Sequence, residues 1–206
     1  MDKRTLWVGL GSLLLIALAV AATVWFAGPA SFRGASYGEP YPVAPPIELT
    51  RANGEPFRLS DQRGKFVLLF FGYTSCPDVC PTTMAELKLV VDGLGEAANS
   101  VQVVFISVDP DRDTPEKIQK YVEHFNPNFI GLTGSLDELQ KIWDGYGVFR
   151  SVNEADSAMG YTVDHTARVT LVDADGNLRL SYSFQTPVED IVYDIKWMHL
   201  CNCEYW

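Results

Sequence analysis

At 206 residues, with 47% hydrophobic and 20% charged side chains, the chain has room for one ordinary globular domain plus an appendage, and two full domains would be a tight fit. Its formal net charge of -10 argues against nucleic acid as a partner, because gripping a phosphate backbone takes clustered Lys and Arg, and no such cluster occurs. Four cysteines are too few to build a disulfide scaffold, and a core of this size needs none.

The first element in chain order is the apolar run from Leu6 to Ala27, free of charge and proline and close to the roughly 20 residues that cross a hydrocarbon core. It predicts one N-terminal transmembrane helix, residues 1–28 forming a cytoplasmic tail and membrane anchor. Lys3 and Arg4 precede the run and nothing basic follows until Arg33, so the positive-inside bias puts the domain on the extracytoplasmic side. A cleaved signal peptide competes with this reading, since Ala19, Val20 and Ala21 would suit a small-residue cleavage site. The apolar run continues through Trp25 and Phe26, which favours an uncleaved anchor. A start this short leaves no room for an Arg-rich organelle transit peptide, which points to the inner membrane of a bacterial envelope with the domain in the periplasm.

Residues 29–46, rich in Gly, Pro and Ser, read as a linker, and residues 47–206 as the folded domain. Ile47 to Leu49 and Phe57 to Leu59 flank the turn signal Asn53-Gly54 and predict a small hairpin. Phe66 to Phe71 is a continuous apolar run ending at Gly72, as expected of a central strand buried on both faces. Pro81 suits the first position of a helix running to about Val91, with Gly93 as a stop.

A second buried strand is expected over Val101 to Val108, and Thr114-Pro115 opens a helix ending near Phe125. A short strand follows around Phe129 to Leu132. Ser135 with Glu138 makes a capping box for a helix to about Tyr146. Ala167 to Val172 and Leu178 to Ser183 flank Asp175-Gly176 as an antiparallel hairpin, and Thr186-Pro187 with Glu189 opens the last helix. This order predicts an α/β fold: a thioredoxin-like mixed sheet with helices on both faces.

The strongest chemical signal is Cys76-Pro77-Asp78-Val79-Cys80-Pro81, directly after a buried strand and at the mouth of a helix. In open α/β sheets, chemistry collects where loops leave the C-terminal ends of central strands. Sulfurs four positions apart at a helix start can share one ion or close a disulfide. With Pro81 first in the helix, Cys80 falls at the N-cap, where free N–H groups and the helix dipole favour thiolate. An inert structural bridge is the alternative, although such bridges more often join distant segments. A closed zinc site wants four tetrahedral ligands, whereas a soft ion of low coordination number such as Cu(I) suits two thiolates and an imidazole.

Three histidines could supply that imidazole. His124 lies late in a helix, where a cation is simply favourable, and His199 is near the chain end. His165 follows a polar stretch that reads as a loop and directly precedes the strand Ala167 to Val172, within reach of a site at the sheet's end. Position leaves it open between a ligand and an ordinary hydrogen-bonded histidine. Asp78 and Asp164 flank these residues and are candidates for supporting hydrogen bonds or a weak extra ligand. His199-Leu200-Cys201-Asn202-Cys203 offers either a second soft-metal site or adventitious thiols.

Three segments together resemble the Sco/SenC family: the cysteine motif, Ser107-Val108-Asp109-Pro110-Asp111-Arg112-Asp113-Thr114-Pro115, and Tyr161-Thr162-Val163-Asp164-His165-Thr166. The likeness covers roughly Pro45 to Ile195; the terminal cysteine pair departs from the family's pattern. The resemblance implies a thioredoxin-like fold, a copper ion held by Cys76, Cys80 and His165, and a copper chaperone that helps build the binuclear copper centre of cytochrome c oxidase. Its partner would then be the copper-bearing oxidase subunit, with other copper carriers or thiol-disulfide proteins as further candidates. No turnover is required of such a protein. The rival is a membrane-anchored thiol-disulfide oxidoreductase using the same Cys76/Cys80 pair, against which stands C-x-x-x-C in place of C-x-x-C. Within Asp109 to Thr114 the residues read as a polar loop and a helix cap, structural and not catalytic.

Overall fold

The computed structural model describes residues 16–17, 31–154 and 160–201. Two compact units divide the chain, Met1–Phe32 and Arg33–Trp206. Of the first, Ile16 and Ala17 are helical, and most of the expected span lies outside the described residues. Among the described residues, no helix is long and apolar enough to cross a membrane.

The second unit is built on strands β1 (Ala35–Ser36), β4 (Phe66–Gly72), β5 (Val101–Ser107), β6 (Ile130–Leu132), β9 (Arg168–Val172) and β10 (Leu178–Ser183). They form one six-stranded sheet in the order β1-β10-β9-β4-β5-β6. β4, β5 and β6 run parallel, while β9 is antiparallel to β4 and β10 to β9, so the sheet is mixed. The expected central strand is the central strand: every residue of β4 is buried, and Phe70 meets Phe105 at 5.7 Å between ring centroids. Two small sheets lie apart from it, β2 (Glu48–Thr50) with β3 (Pro56–Arg58) and β7 (Arg150–Glu154) with β8 (Tyr161–His165).

The helices are α1 (Val79–Leu94), α2 (Pro115–Glu123), α3 (Leu136–Tyr146) and α4 (Val188–Cys201). Local chemistry sets their ends. Thr114 caps α2 by accepting from the Lys117 N–H, and Ser135 with Glu138 closes both hydrogen bonds of a capping box on α3. α1 packs against α4, and α2 lies so close on β6 that a Cβ at Gly131 would stand 2.7 Å from the Ile118 carbonyl. This strand and helix order is a thioredoxin-like α/β fold.

Three features differ from the sequence reading. Residues 33–46 are part of the sheet-bearing unit, not a free linker. The backbone N–H groups of Arg33 and Gly34 donate to the buried carboxylate of Asp194, β1 pairs with β10, and Leu178 and Tyr146 bind the carbonyls of Pro42 and Pro45. Gly, Pro and Ser content read as a linker, yet these residues allow the strap to lie flat: a Cβ at Gly34 would meet the Tyr182 ring at 2.6 Å. Second, α1 starts at Val79 with Asp78 as its N-cap residue, so Cys80 sits inside the first turn and not at the cap, and α1 passes Gly93 to stop at Gly95, where φ is 63°. Third, His165 ends a strand of a separate hairpin instead of lying on a loop.

Candidate metal centre

The cysteine loop leaves the C-terminal end of β4, and both sulfurs come to rest over the mouth of α1. Cys80 is fully buried and Cys76 is half-buried; both are free thiols. Gly72 makes the seat for Cys80, because a Cβ there would lie 2.9 Å from its Sγ and 2.8 Å from the Phe105 ring. Since α1 begins two residues earlier than Pro81, the N–H of Cys80 points back along the chain and donates to the Cys76 Sγ at 3.4 Å. The helix N-terminus therefore serves Cys76, and not Cys80, as thiolate.

The two thiols are consequently unlike. The Cys80 thiol donates to Cys76, and this bond, with the N–H groups of Cys80 and Asp78 and the His165 ring, lowers the Cys76 pKa to about 5 against the opposing effect of burial. The same bond pushes the Cys80 pKa well up, and burial and the neighbouring Cys76 charge push it further. One proton is shared by the pair, held at Cys80.

His165 arrives from β8. Its Nε2 stands 4.0 Å from the Cys80 Sγ, and its Nδ1 is 3.2 Å from the carbonyl oxygen of Val163. A carbonyl can only accept, so Nδ1 donates its N–H to Val163 and Nε2 is the nitrogen turned toward the sulfur. The ring lies edge-on to Tyr73, centroids 5.8 Å apart. Tyr73 is buried beside the sulfurs; its pKa is raised, first by that burial and further by the two cysteines. Among the described residues, no three His, Cys, Asp or Glu side chains stand close enough to hold an ion as placed. The chemistry of the donor set nonetheless fits a soft cation: two sulfurs and one imidazole nitrogen.

Asp78 and Asp164 do not join this set. Both are exposed, and Asp164 accepts from Asn153 at 2.8 Å. His199 bonds Ser100 through its ring at 3.3 Å, just before β5 begins, and so marks the opposite end of the sheet from the cysteine loop. A seven-residue strand, about 20 Å, separates the ends. Cys201 is the last residue of α4, and Cys203 lies outside the described residues. A hollow of about 920 Å³ is also at that far end, lined by Arg51, Lys65, Gln102 and Asn128, and none of the three site side chains borders it.

What residue-by-residue reading missed is the role of Ser107 to Thr114. Asp113, 1% exposed, accepts from the Thr74 hydroxyl at 2.5 Å, the Thr74 N–H at 3.3 Å and the Ser107 hydroxyl at 2.7 Å, fixing the start of the cysteine loop. Asp109, 0% exposed, pairs with Arg112 and accepts from the Tyr161 hydroxyl at 2.7 Å, fixing the start of β8. A single segment thus braces both halves of the site. Two acids in a short run after a buried strand were the available signal, since carboxylates are seldom buried unpaired.

Residues 35–200 match the SCO1/SenC family. The chain belongs to that family. It is 32% identical over 193 residues to a SCO2-like protein of Rickettsia felis, 93% of this chain and 92% of that one. Among solved structures it is similar to copper-bound ScoI of Bradyrhizobium japonicum, at 37% identity and TM-score 0.68, covering 75% of this chain and 98% of that one. It is also similar to Sco1 of Thermus thermophilus in its apo form, at 39% identity and TM-score 0.73, covering 83% and 99%. Membership in the SCO1/SenC family agrees with the three motifs, which the fold gathers from separate segments into one corner.

Proposed function

We infer that this chain is a copper chaperone for cytochrome c oxidase assembly, taking copper as cargo on Cys76, Cys80 and His165. The observation that carries this reading is the approach of Cys80 and His165 to 4.0 Å across 85 residues of sequence, with the imidazole's other nitrogen already engaged by Val163. Cys76 offers a thiolate at once. Cys80 contributes its sulfur by giving up the shared proton, and His165 supplies the ring nitrogen that Val163 leaves unengaged. Delivery is ligand exchange, in which an acceptor's thiolates displace these three in turn. Family likeness supports the copper-bearing oxidase subunit as the acceptor.

The run Leu6 to Ala27 anchors the protein in the inner membrane, with the unit that begins at Arg33 on the periplasmic side. Resistance to alkaline extraction from membranes, together with protease access from the periplasm, tests that placement.

For the centre itself, the full chain in detergent, reduced and anaerobic, should bind one Cu(I), and Cys201→Ser with Cys203→Ser should leave that stoichiometry at one. His165→Ala should weaken the affinity by about 10-fold or more while the Cys76/Cys80 disulfide still forms. Unchanged affinity would remove His165 from the ligand set.

A second reading draws on the asymmetry of the thiols. Cys76, half-exposed with its pKa near 5, is suited to attack a partner's disulfide, releasing one partner thiolate; buried Cys80 then attacks Cys76 and releases the other. Two electrons leave the pair and reduce the partner. Efficient reduction of an oxidase-derived disulfide by copper-free protein would favour this role.

A further inference from the structure

The hairpin β7–β8 is outside the six-stranded sheet, and a two-stranded hairpin has little stability of its own. Its position is set by short chain links to α3 and β9 and by side-chain tethers, several of which converge on the segment that follows β5. Arg150 Nε donates to the Val108 carbonyl at 2.6 Å. Tyr161 donates its hydroxyl to Asp109, and Arg112 Nη1 donates to the Tyr161 carbonyl at 3.0 Å. The Arg112 guanidinium lies 3.7 Å from the Tyr161 ring centroid and 5.5 Å from that of Tyr73.

Along β8 the side-chain period of two puts Tyr161, Val163 and His165 on one face. Each makes a contact toward the domain: Tyr161 to Asp109, the Val163 N–H to the Tyr73 hydroxyl at 3.4 Å, and His165 to Cys80. A shift at the first is carried along a stiff strand to the last. We propose that Arg112, with Asp109 and Tyr161, is a latch that sets how closely the His165 imidazole approaches the two sulfurs, making Arg112 a positioning residue for the copper centre.

The latch requires a planar, multiply donating cation. The guanidinium neutralises Asp109, which is 0% exposed, while it stacks on Tyr161 and bonds that residue's carbonyl. Lysine would keep the charge and lose the fork and the stack. Arg112→Lys is therefore the informative change, and Tyr161→Phe, which deletes only the hydroxyl, is the gentler second variant.

This inference rests on His165 being a ligand, and the test separates the two claims. Cu(I) affinity is measured by competition with a chromogenic chelator for the full chain in detergent, for Arg112→Lys, for His165→Ala and for the double variant. Arg112→Lys should weaken binding by roughly 10-fold when His165 is present, the usual cost of losing a ligand's supporting contact, and by less than about 2-fold in the His165→Ala background. Tyr161→Phe should weaken it by roughly 5-fold, on the order of one lost hydrogen bond. In copper-free protein, both variants should shift the His165 ring nitrogen signals and speed hydrogen exchange at the Val163 amide, leaving exchange in β4 unchanged. Equal weakening in both histidine backgrounds, or no weakening at all, overturns the latch. Should His165→Ala alone leave affinity unchanged, the ligand assignment fails instead. The copper-free exchange then decides the latch, and a wild-type rate at Val163 in Arg112→Lys overturns it.

Discussion

The cysteine loop grows out of β4, a strand paired on both edges within the main sheet, whereas His165 rides on a hairpin whose strands pair with each other and lean on the domain through side chains. Cys80 is enclosed by core atoms and Gly72 leaves it no slack; the imidazole is held by tethers to residues 108–112. A site divided in this way has a fixed half and a mounted half. If these side chains take an ion as proposed, the closing movement is expected from the hairpin, because shifting the sulfur would mean repacking the core, and packed interiors yield little.

The largest expected effect is chemical. With a pKa near 5, Cys76 should remain a thiolate through neutral pH, so its alkylation by iodoacetamide should persist in mild acid and fall only as pH drops through about 5. Cys80, buried and with its pKa pushed up, should stay unmodified at pH 8 in the folded protein. Peptide mass analysis reads both, and comparable labelling of the two thiols would show that the fixed half is not fixed.

Next comes the brace beneath the cysteine loop. Asp113→Ala strips the acceptor from the Thr74 N–H and from the Thr74 and Ser107 hydroxyls, and should cost about 3 kcal/mol of stability in denaturant unfolding. Asp113→Asn should be milder and should change the pH dependence. Burial raises the Asp113 pKa in the fold, so the native state binds this proton more tightly than the unfolded chain does. The carboxyl then contributes most when protonated, and its contribution fades as pH rises through the folded pKa. Asn removes that slope. A profile with the same slope in Asp113→Asn would mean that another group sets it.

The smallest effect belongs to the mounted half. Arg150→Ala removes the bond to the Val108 carbonyl and the stacking over Trp143, and should lower global stability by only about 1 kcal/mol while hydrogen exchange in β7 and β8 accelerates. Global loss as large as that of Asp113→Ala would show that the hairpin is integral to the core.

Sequence made the fixed half legible and the mounted half much less so. Apolar runs at Phe66 to Phe71 and Val101 to Val108, the Thr114 and Ser135 caps, and turns at Asn53-Gly54 and Asp175-Gly176 are local signals, and each corresponds to an observed element. The β7–β8 hairpin gives no comparable signal. Its residues alternate weakly, only Val163 is buried, and its pairing depends on tethers from a segment some 50 residues away, which no local pattern encodes. Asp109 and Asp113 read as loop polarity because burial cannot be seen in residue type. The strap at residues 33–46 was misleading for a related reason, since Gly and Pro are permissive residues that serve close packing as readily as freedom.

The hydrogen that Gly72 carries in place of a side chain is what lets a sulfur and an aromatic ring share the same few ångströms at the end of β4. The protein has thus made its least mobile donor by omission, carving a niche out of its own backbone. On the proposed copper reading, any adjustment of grip in loading or hand-over would be made from the other side of that niche.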